Sequence, residues 1–327
     1  MRKEKPKFIT QYDMGDAMST PVRLPGGRRF FFRLILWTSA IVLLIYAFFG
    51  EKFIKAMGNL MIASAKLENE TDPDPEIAIQ MFADMAAAFW PFMFLMILVW
   101  IIFASAETAF HKNLFRGTDE GLFPLRFGKE ELRVMLAQLC VSLILLAVYV
   151  IGIIAIIILS ILVISASGIT PIFGVFVGLF ALFGIGYFVF KLIQFAIRLA
   201  PAAAMTVRDG HLRVFEAWET VKGRSWPVFG SFFIVYLCGY ILLQVIIGIG
   251  TVVAFGNDEL YSVLLGMTPD DPEALFRDLS EKIKETRVLI PLVVTVSVYT
   301  IATYAWMTFM WGISNYIVQT DERVIAE

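Results

Sequence analysis

Charge is what this chain has least of. Only 17% of its 327 residues are charged, while 58% are hydrophobic and the mean hydropathy is +0.75. Soluble domains carry roughly 25% charged residues. One soluble core cannot absorb such an apolar excess. Composition therefore overrides the two soluble domains that length alone suggests, and excludes disorder and collagen. Cysteine is nearly absent. Cys140 and Cys238 each stand alone in an apolar stretch, which excludes a disulfide framework and a thiolate metal site. Both read as small apolar side chains. The two histidines, His111 and His211, have no His-Glu-x-x-His pattern and read as ordinary solvated or interfacial residues. There is no Gly-x-x-x-x-Gly-Lys-Ser/Thr and no Gly-x-Ser-x-Gly. Gly248-Ile249-Gly250 lacks both the third glycine and the strand of a dinucleotide fingerprint. No catalytic residues, metal ligands or cofactor are predicted, and the basic elbows carry no RNA or DNA module, so a membrane surface explains them better than a nucleic-acid partner.

What the chain has instead is long apolar runs. A spanning helix needs about 20 mostly apolar residues. Six segments meet that demand, at about 30–50, 81–103, 132–164, 172–199, 227–255 and 288–313. The third is too long to stand upright and implies tilt, or first turns outside the hydrocarbon. The first follows a basic leader, 1–29, and no small-residue cleavage site follows it. It reads as an uncleaved span rather than a signal peptide.

The basic residues orient the spans. Of 27 Lys and Arg, 20 fall in the leader, the loops after spans two and four, and the tail. The positive-inside rule places both termini in the cytoplasm. The outer loops lean acidic.

The chain reads as three consecutive helical hairpins, and the seams resemble one another. Arg116-Gly117 follows span two and Arg208-Asp209-Gly210 follows span four. Asp-Pro-Glu recurs at 74–76 and 271–273, each triplet suited to starting a helix. Residues 212–222 place Val214, Phe215, Trp218 and Val221 on one face. That pattern predicts an amphipathic elbow helix lying in the cytoplasmic interface, with Trp218 and Trp226 as interfacial anchors. A second surface helix is expected outside, over 271–285.

The hydrocarbon core reads as nearly free of charge, with Asp84 the one acid near a span. Lys191, Gln194 and Arg198 fall three to four residues apart at the inner end of span four, so they share a face. Together with Arg126, Arg133 or Arg224 they are candidates to hold a lipid headgroup; the plainer reading is snorkelling at a helix end. Gly174-x-x-x-Gly178 permits close helix approach, first against span three of its own hairpin.

The stretch Arg198-Leu199-Ala200-Pro201 followed by Val214 to Trp226 resembles bacterial polytopic proteins related to the membrane domain of glycerophosphodiester phosphodiesterases, and the uncharacterised YciC-like group. Residues 124–133 look like the matching elbow. The resemblance covers about the C-terminal two-thirds on loose motifs. It implies a bacterial inner-membrane home and a six-helix bundle. It implies no catalysis, because the hydrolase of that family sits in a separate soluble domain.

The reading is an all-α membrane protein: six transmembrane helices in three hairpins with amphipathic cytoplasmic elbows. The expected function is non-enzymatic, with membrane lipids, chiefly anionic headgroups, and other membrane proteins as partners. The alternative is a transporter or channel for a lipid or small amphiphile, with its path between the hairpins.

Overall fold

The computed structural model describes residues 12–23, 27–69, 75–117, 123–168, 170–256 and 285–321. Six of its helices are long and apolar enough to cross a membrane. They are α2 (Gly27–Asn69), α3 (Pro75–Arg116), α4 (Lys129–Ser167), α5 (Pro171–Leu199), α8 (Ser225–Phe255) and α9 (Thr286–Gln319). Three short helices accompany them: α1 (Met14–Ser19), α6 (Ala202–Asp209) and α7 (Glu216–Thr220). No strand occurs among the described residues. The all-α, six-span architecture is that of a multi-pass membrane protein.

The helices overrun the expected spans. At 1.5 Å per residue the 43 residues of α2 extend far past a ~30 Å hydrocarbon layer. Residues 51–69, expected as a loop, continue the helix because Lys, Ala, Met, Leu and Glu there are all good helix formers. Pro75 opens α3, as the Asp-Pro-Glu pattern predicts. The matching triplet at 271–273 and, up to residue 284, the outer surface helix expected over 271–285 lie outside the described residues.

Each helix packs chiefly on its hairpin partner: α2 on α3, α4 on α5, and α8 on α9. Small residues set the approach. A Cβ at Gly239 of α8 would collide with the indole of Trp306 on α9, and Trp306 Nε1 donates to the Val235 carbonyl at 3.0 Å. Gly250 likewise admits Thr295. In the α4–α5 hairpin the close approach is Gly152 against Phe188. Of the predicted Gly174-x-x-x-Gly178, Gly174 is buried, and the Gly178 position makes ordinary contact 3.9 Å from Val163 Cγ1.

α4 and α5 are the least covered spans: 6% of the α4 apolar window is buried, against 33% for α2. A helix apolar on every side with so little protein cover is solvated by lipid. The hairpin joins the rest of the bundle at the end where the elbows gather, termed the elbow end below. There Val134 packs with Ala104, Ala203 and Val207, and Ala137 packs with Leu199 and Val214.

The two elbows share a stop. Gly117 (φ 63) closes α3 and Gly210 (φ 71) closes α6, each donating its N–H to the carbonyl four residues back at 3.0 Å. Glycine takes this left-handed cap without a Cβ penalty. Helix α6 stands between Pro201 and Gly210 in what the sequence reading took for plain elbow.

The 212–222 amphipathic stretch corrects the expectation of a free interfacial helix. Only the single turn α7 is helical there. Val214, Ala217 and Val221 are buried against protein, whereas Phe215 faces out. Of the expected stripe the bundle takes up Val214 and Val221, Trp218 is half-buried, and Phe215 is left exposed.

The leader also departs from expectation. Residues 12–23 fold back into the elbow end. Tyr12 OH donates to Ser231 Oγ at 2.9 Å, and Asp13 N–H donates to the Tyr316 hydroxyl at 3.3 Å. Ala17 is buried in one cluster with Ile197, Val228, Ile313 and Ile317. Two glycines form the notch. A Cβ at Gly312 would meet Pro21 Cδ at 2.6 Å, and one at Gly230 would meet Met14 Cε at 2.8 Å. Both ends of the described chain therefore lie at the same end of the bundle, as six crossings require.

Candidate functional site

Lys191, Gln194 and Arg198 do share one face of α5. Lys191 Nζ lies 3.4 Å from Gln194 Oε1 and 5.4 Å from the Tyr187 ring centroid. The Arg198 guanidinium stacks 4.5 Å over Trp218, whose ring meets Phe195 edge-on at 4.7 Å. Gln194 also lines a narrow crevice between α5 and α8 with Phe190, Ile197, Ser225, Trp226 and Phe229. Its free space is only about 10 Å³, near the volume a single water centre needs. Trp226 itself is exposed, touching Phe190 and Phe229. A wholly apolar groove of about 460 Å³ opens on the other side of α5, between Leu145, Leu146 and Tyr149 of α4 and Leu192, Ile193 and Ala196.

The other candidate arginines meet backbone. Arg224 donates to the Thr220 and Thr320 carbonyls at 2.8 Å each, and to the Ile317 carbonyl at 3.4 Å. Arg133 donates to the Gly210 carbonyl. Arg116, not singled out from sequence, donates to the Val207 carbonyl at 2.9 Å. Each guanidinium satisfies carbonyls at a helix C-terminus, where positive charge is favoured. Arg126 is exposed on the first elbow, and its carbonyl accepts from Ser105 Oγ at 2.6 Å. The structure thus gathers Lys191, Gln194 and Arg198 with Trp218 and Trp226, and ties Arg133 and Arg224 to elbow backbone.

A second polar constellation escaped the sequence reading. Trp100 Nε1 donates to Gln138 Oε1 at 2.6 Å, across from α3 to α4. Gln138 Nε2 in turn donates to Glu107 Oε2. Glu107 Oε1 lies 3.3 Å from His111 Nε2. Glu107 is 6% exposed and His111 is fully buried, so His111 is not the solvated elbow residue expected. The span does not end near 103; α3 continues to Arg116, and α4 and α6 cover this stretch. The available signal was the Glu107-x-x-x-His111 spacing, which puts both side chains on one helical face. His211, by contrast, is exposed as predicted. Next to the pair, Lys112 bridges Glu131 at 2.7 Å and Glu130 at 2.9 Å, and Arg116 holds Glu130 at 2.9 Å.

Outside the spans, burial pushes the Tyr12 phenol up to about 12, partly offset by its bond to Ser231. No group of three or more His, Cys, Asp or Glu poised for a metal occurs among the described residues.

Fold and site define a class: a six-span helical membrane protein of three hairpins with a polar elbow end. No protein-family model, curated protein or solved structure matches the chain.

Proposed function

We propose that the chain is a non-enzymatic protein of a bacterial inner membrane, with its elbow end in the cytoplasm, that binds anionic lipid there and engages other membrane proteins. The carrying observation is the α5 face on which Lys191, Gln194 and Arg198 stand together beside Trp218 and Trp226. Two cations on one face, with an amide between them and indoles alongside, suit a phosphate-bearing headgroup at interfacial depth. Each cation near an anionic surface contributes about 1 kcal/mol, weakened by salt. The cytoplasmic assignment rests on the 20 basic residues counted at this end. The poorly covered α4–α5 hairpin supplies the surface for partner proteins.

The test is lipid enrichment. Purified protein in mixed-lipid nanodiscs is compared with the Lys191→Gln/Arg198→Gln double variant, and bound anionic lipid is quantified after extraction. Loss of the enrichment supports the reading; unchanged enrichment overturns it. A second reading, movement of a lipid or small amphiphile between hairpins, is favoured by the apolar groove on α4 and α5. A protein-dependent rise in lipid scrambling in vesicles would select it.

A further inference from the structure

The face of α5 that carries Lys191, Gln194 and Arg198 continues toward the middle of the helix. Phe176, Phe180, Phe183 and Tyr187 precede them at steps of three and four residues, so the aromatic and polar side chains fall on one stripe. Each of these aromatic side chains is more than half exposed. From Phe176 to Tyr187 the stripe rises about 16 Å. That is close to half of a ~30 Å hydrocarbon layer. One helix thus presents an apolar wall about one leaflet deep, and hydrogen-bond donors cap it on the elbow side.

Those donors stand at separate stations. Lys191 and Arg198 lie two turns apart, about 10 Å along the axis. Each cation has its own neighbours. Lys191 Nζ is 5.4 Å from the Tyr187 ring centroid and 3.4 Å from Gln194 Oε1, whereas Arg198 is stacked on Trp218 of the following elbow at 4.5 Å. An ammonium only donates, so Gln194 meets Lys191 with its oxygen and keeps its NH₂ for another acceptor. The row therefore reads cation, amide N–H, cation. Other cations at this end are answered by carboxylates: Lys112 and Arg116 by Glu130, Arg208 and Arg213 by Asp209. Lys191 instead meets an amide and a ring, and Arg198 an indole. Such partners orient a cation without neutralising it.

We propose that this stripe binds a phospholipid whose headgroup carries two phosphates, a lipid of the diphosphatidylglycerol class, an assignment that rests on the anionic-lipid reading above. A single phosphate at one station leaves the other cation without an anion. Two phosphates joined by a short bridge fill both stations, and a hydroxyl on that bridge accepts from the Gln194 NH₂. Trp218 and Trp226 flank the headgroup at interfacial depth. The aromatic wall receives acyl chains, and the thinly covered α4–α5 hairpin gives room for the additional chains such a lipid carries.

The test is a competition between lipids. The whole protein is placed in nanodiscs of zwitterionic lipid with diphosphatidylglycerol and phosphatidylglycerol at equal phosphate, and retained lipid is read by native mass spectrometry. Diphosphatidylglycerol should be favoured about fivefold, the factor one further engaged cation contributes near an anionic surface. Equal retention of the two anionic lipids overturns the proposal and leaves the anionic-lipid reading standing; retention of neither overturns both. This comparison uses the unaltered chain, so it does not depend on a variant folding. Lys191→Gln, at the exposed face, should bring the ratio near one while phosphatidylglycerol stays enriched over zwitterionic lipid through Arg198. Arg198→Gln should do the same through Lys191. A preference that survives both single changes refutes the two-station site. Excess inorganic pyrophosphate should not displace the lipid; displacement would reassign the site to a soluble diphosphate and overturn the lipid assignment.

Discussion

Replacing Gln138 with leucine should loosen the joint between the first and second hairpins, and the size of the effect can be worked from two bonds. The bond from Trp100 to Gln138 joins neutral groups. Between membrane helices such bonds average about 0.6 kcal/mol in double-mutant cycles. The bond from Gln138 to Glu107 is of another kind, because its acceptor is an acid only 6% exposed. Hydrogen bonds to charged groups contribute about 1.5–3 kcal/mol, and leaving such a group short of a partner costs its desolvation as well. Leucine is close to glutamine in volume, so the cavity contribution is small. The summed loss is therefore about 2–3.5 kcal/mol. Reversible unfolding in mixed detergent micelles measures it. A cycle with Glu107→Leu separates the two bonds: the coupling between positions 107 and 138 should be about 1.5–3 kcal/mol. With both groups gone the double variant should lose much less than the sum of the single changes. A coupling below about 0.5 kcal/mol, the usual scatter between independent sites, would refute the argument that Gln138 satisfies a buried charge.

Gly312→Val should expel the docked N-terminal segment, because the added Cβ would lie 2.6 Å from Pro21. Proteolysis at Arg23 should then speed up while the remaining helices stay protected. Gly239→Leu overpacks the α8–α9 seam against Trp306 and should cost about 1–3 kcal/mol in the same unfolding assay. Arg224→Lys keeps the charge but loses the fork that reaches three carbonyls, so it should destabilise by about 1–2 kcal/mol without changing bound lipid. Tyr12 gives a pH dependence whose sign is set by its raised value: the folded protein favours the neutral phenol. Docking of residues 12–23 should hold full strength below the ordinary value of 10.0 and fall away as pH rises through about 12, and Tyr12→Phe should weaken that dependence.

The spans and hairpins were legible because lipid imposes a demand that a one-dimensional pattern can meet: about 20 apolar residues, then a polar break. The elbow stops were legible for a similar reason, since glycine at 117 and 210 marks a backbone position few other residues tolerate. What escaped depends on distant partners. Nothing in residues 12–23 announces a docking segment; its notch is cut by Gly230 and Gly312, some 200 and 300 positions away. Helix α6 is eight residues long and weakly patterned, and is held by packing against α3 and α4. His111 sits in a stretch of mixed polarity that would be solvated if α3 ended where its apolar run thins. Tertiary cover, not local sequence, makes it a buried residue.

The arginine contacts bear on how basic residues at a membrane surface are counted. Sequence position makes Arg126, Arg133, Lys191, Arg198 and Arg224 candidates to meet a headgroup. Two of these, Arg133 and Arg224, together with Arg116, instead lay their guanidinium groups on the last carbonyls of α6, α7 and α9. Arg116 and Arg224 each engage both terminal nitrogens of the guanidinium in this way, and turning them toward a phosphate would break those bonds. The pool left for the proposed lipid contact is therefore smaller than the count of basic residues, and in that proposal it centres on Lys191 and Arg198. The remaining charge still orients the protein, because the positive-inside rule depends on where cations sit during insertion and not on what they touch afterwards. On the proposed orientation one set of basic residues does two physically separate things. It sets which way the chain faces during insertion, and once folded, part of it is the clasp that holds the elbows to the bundle.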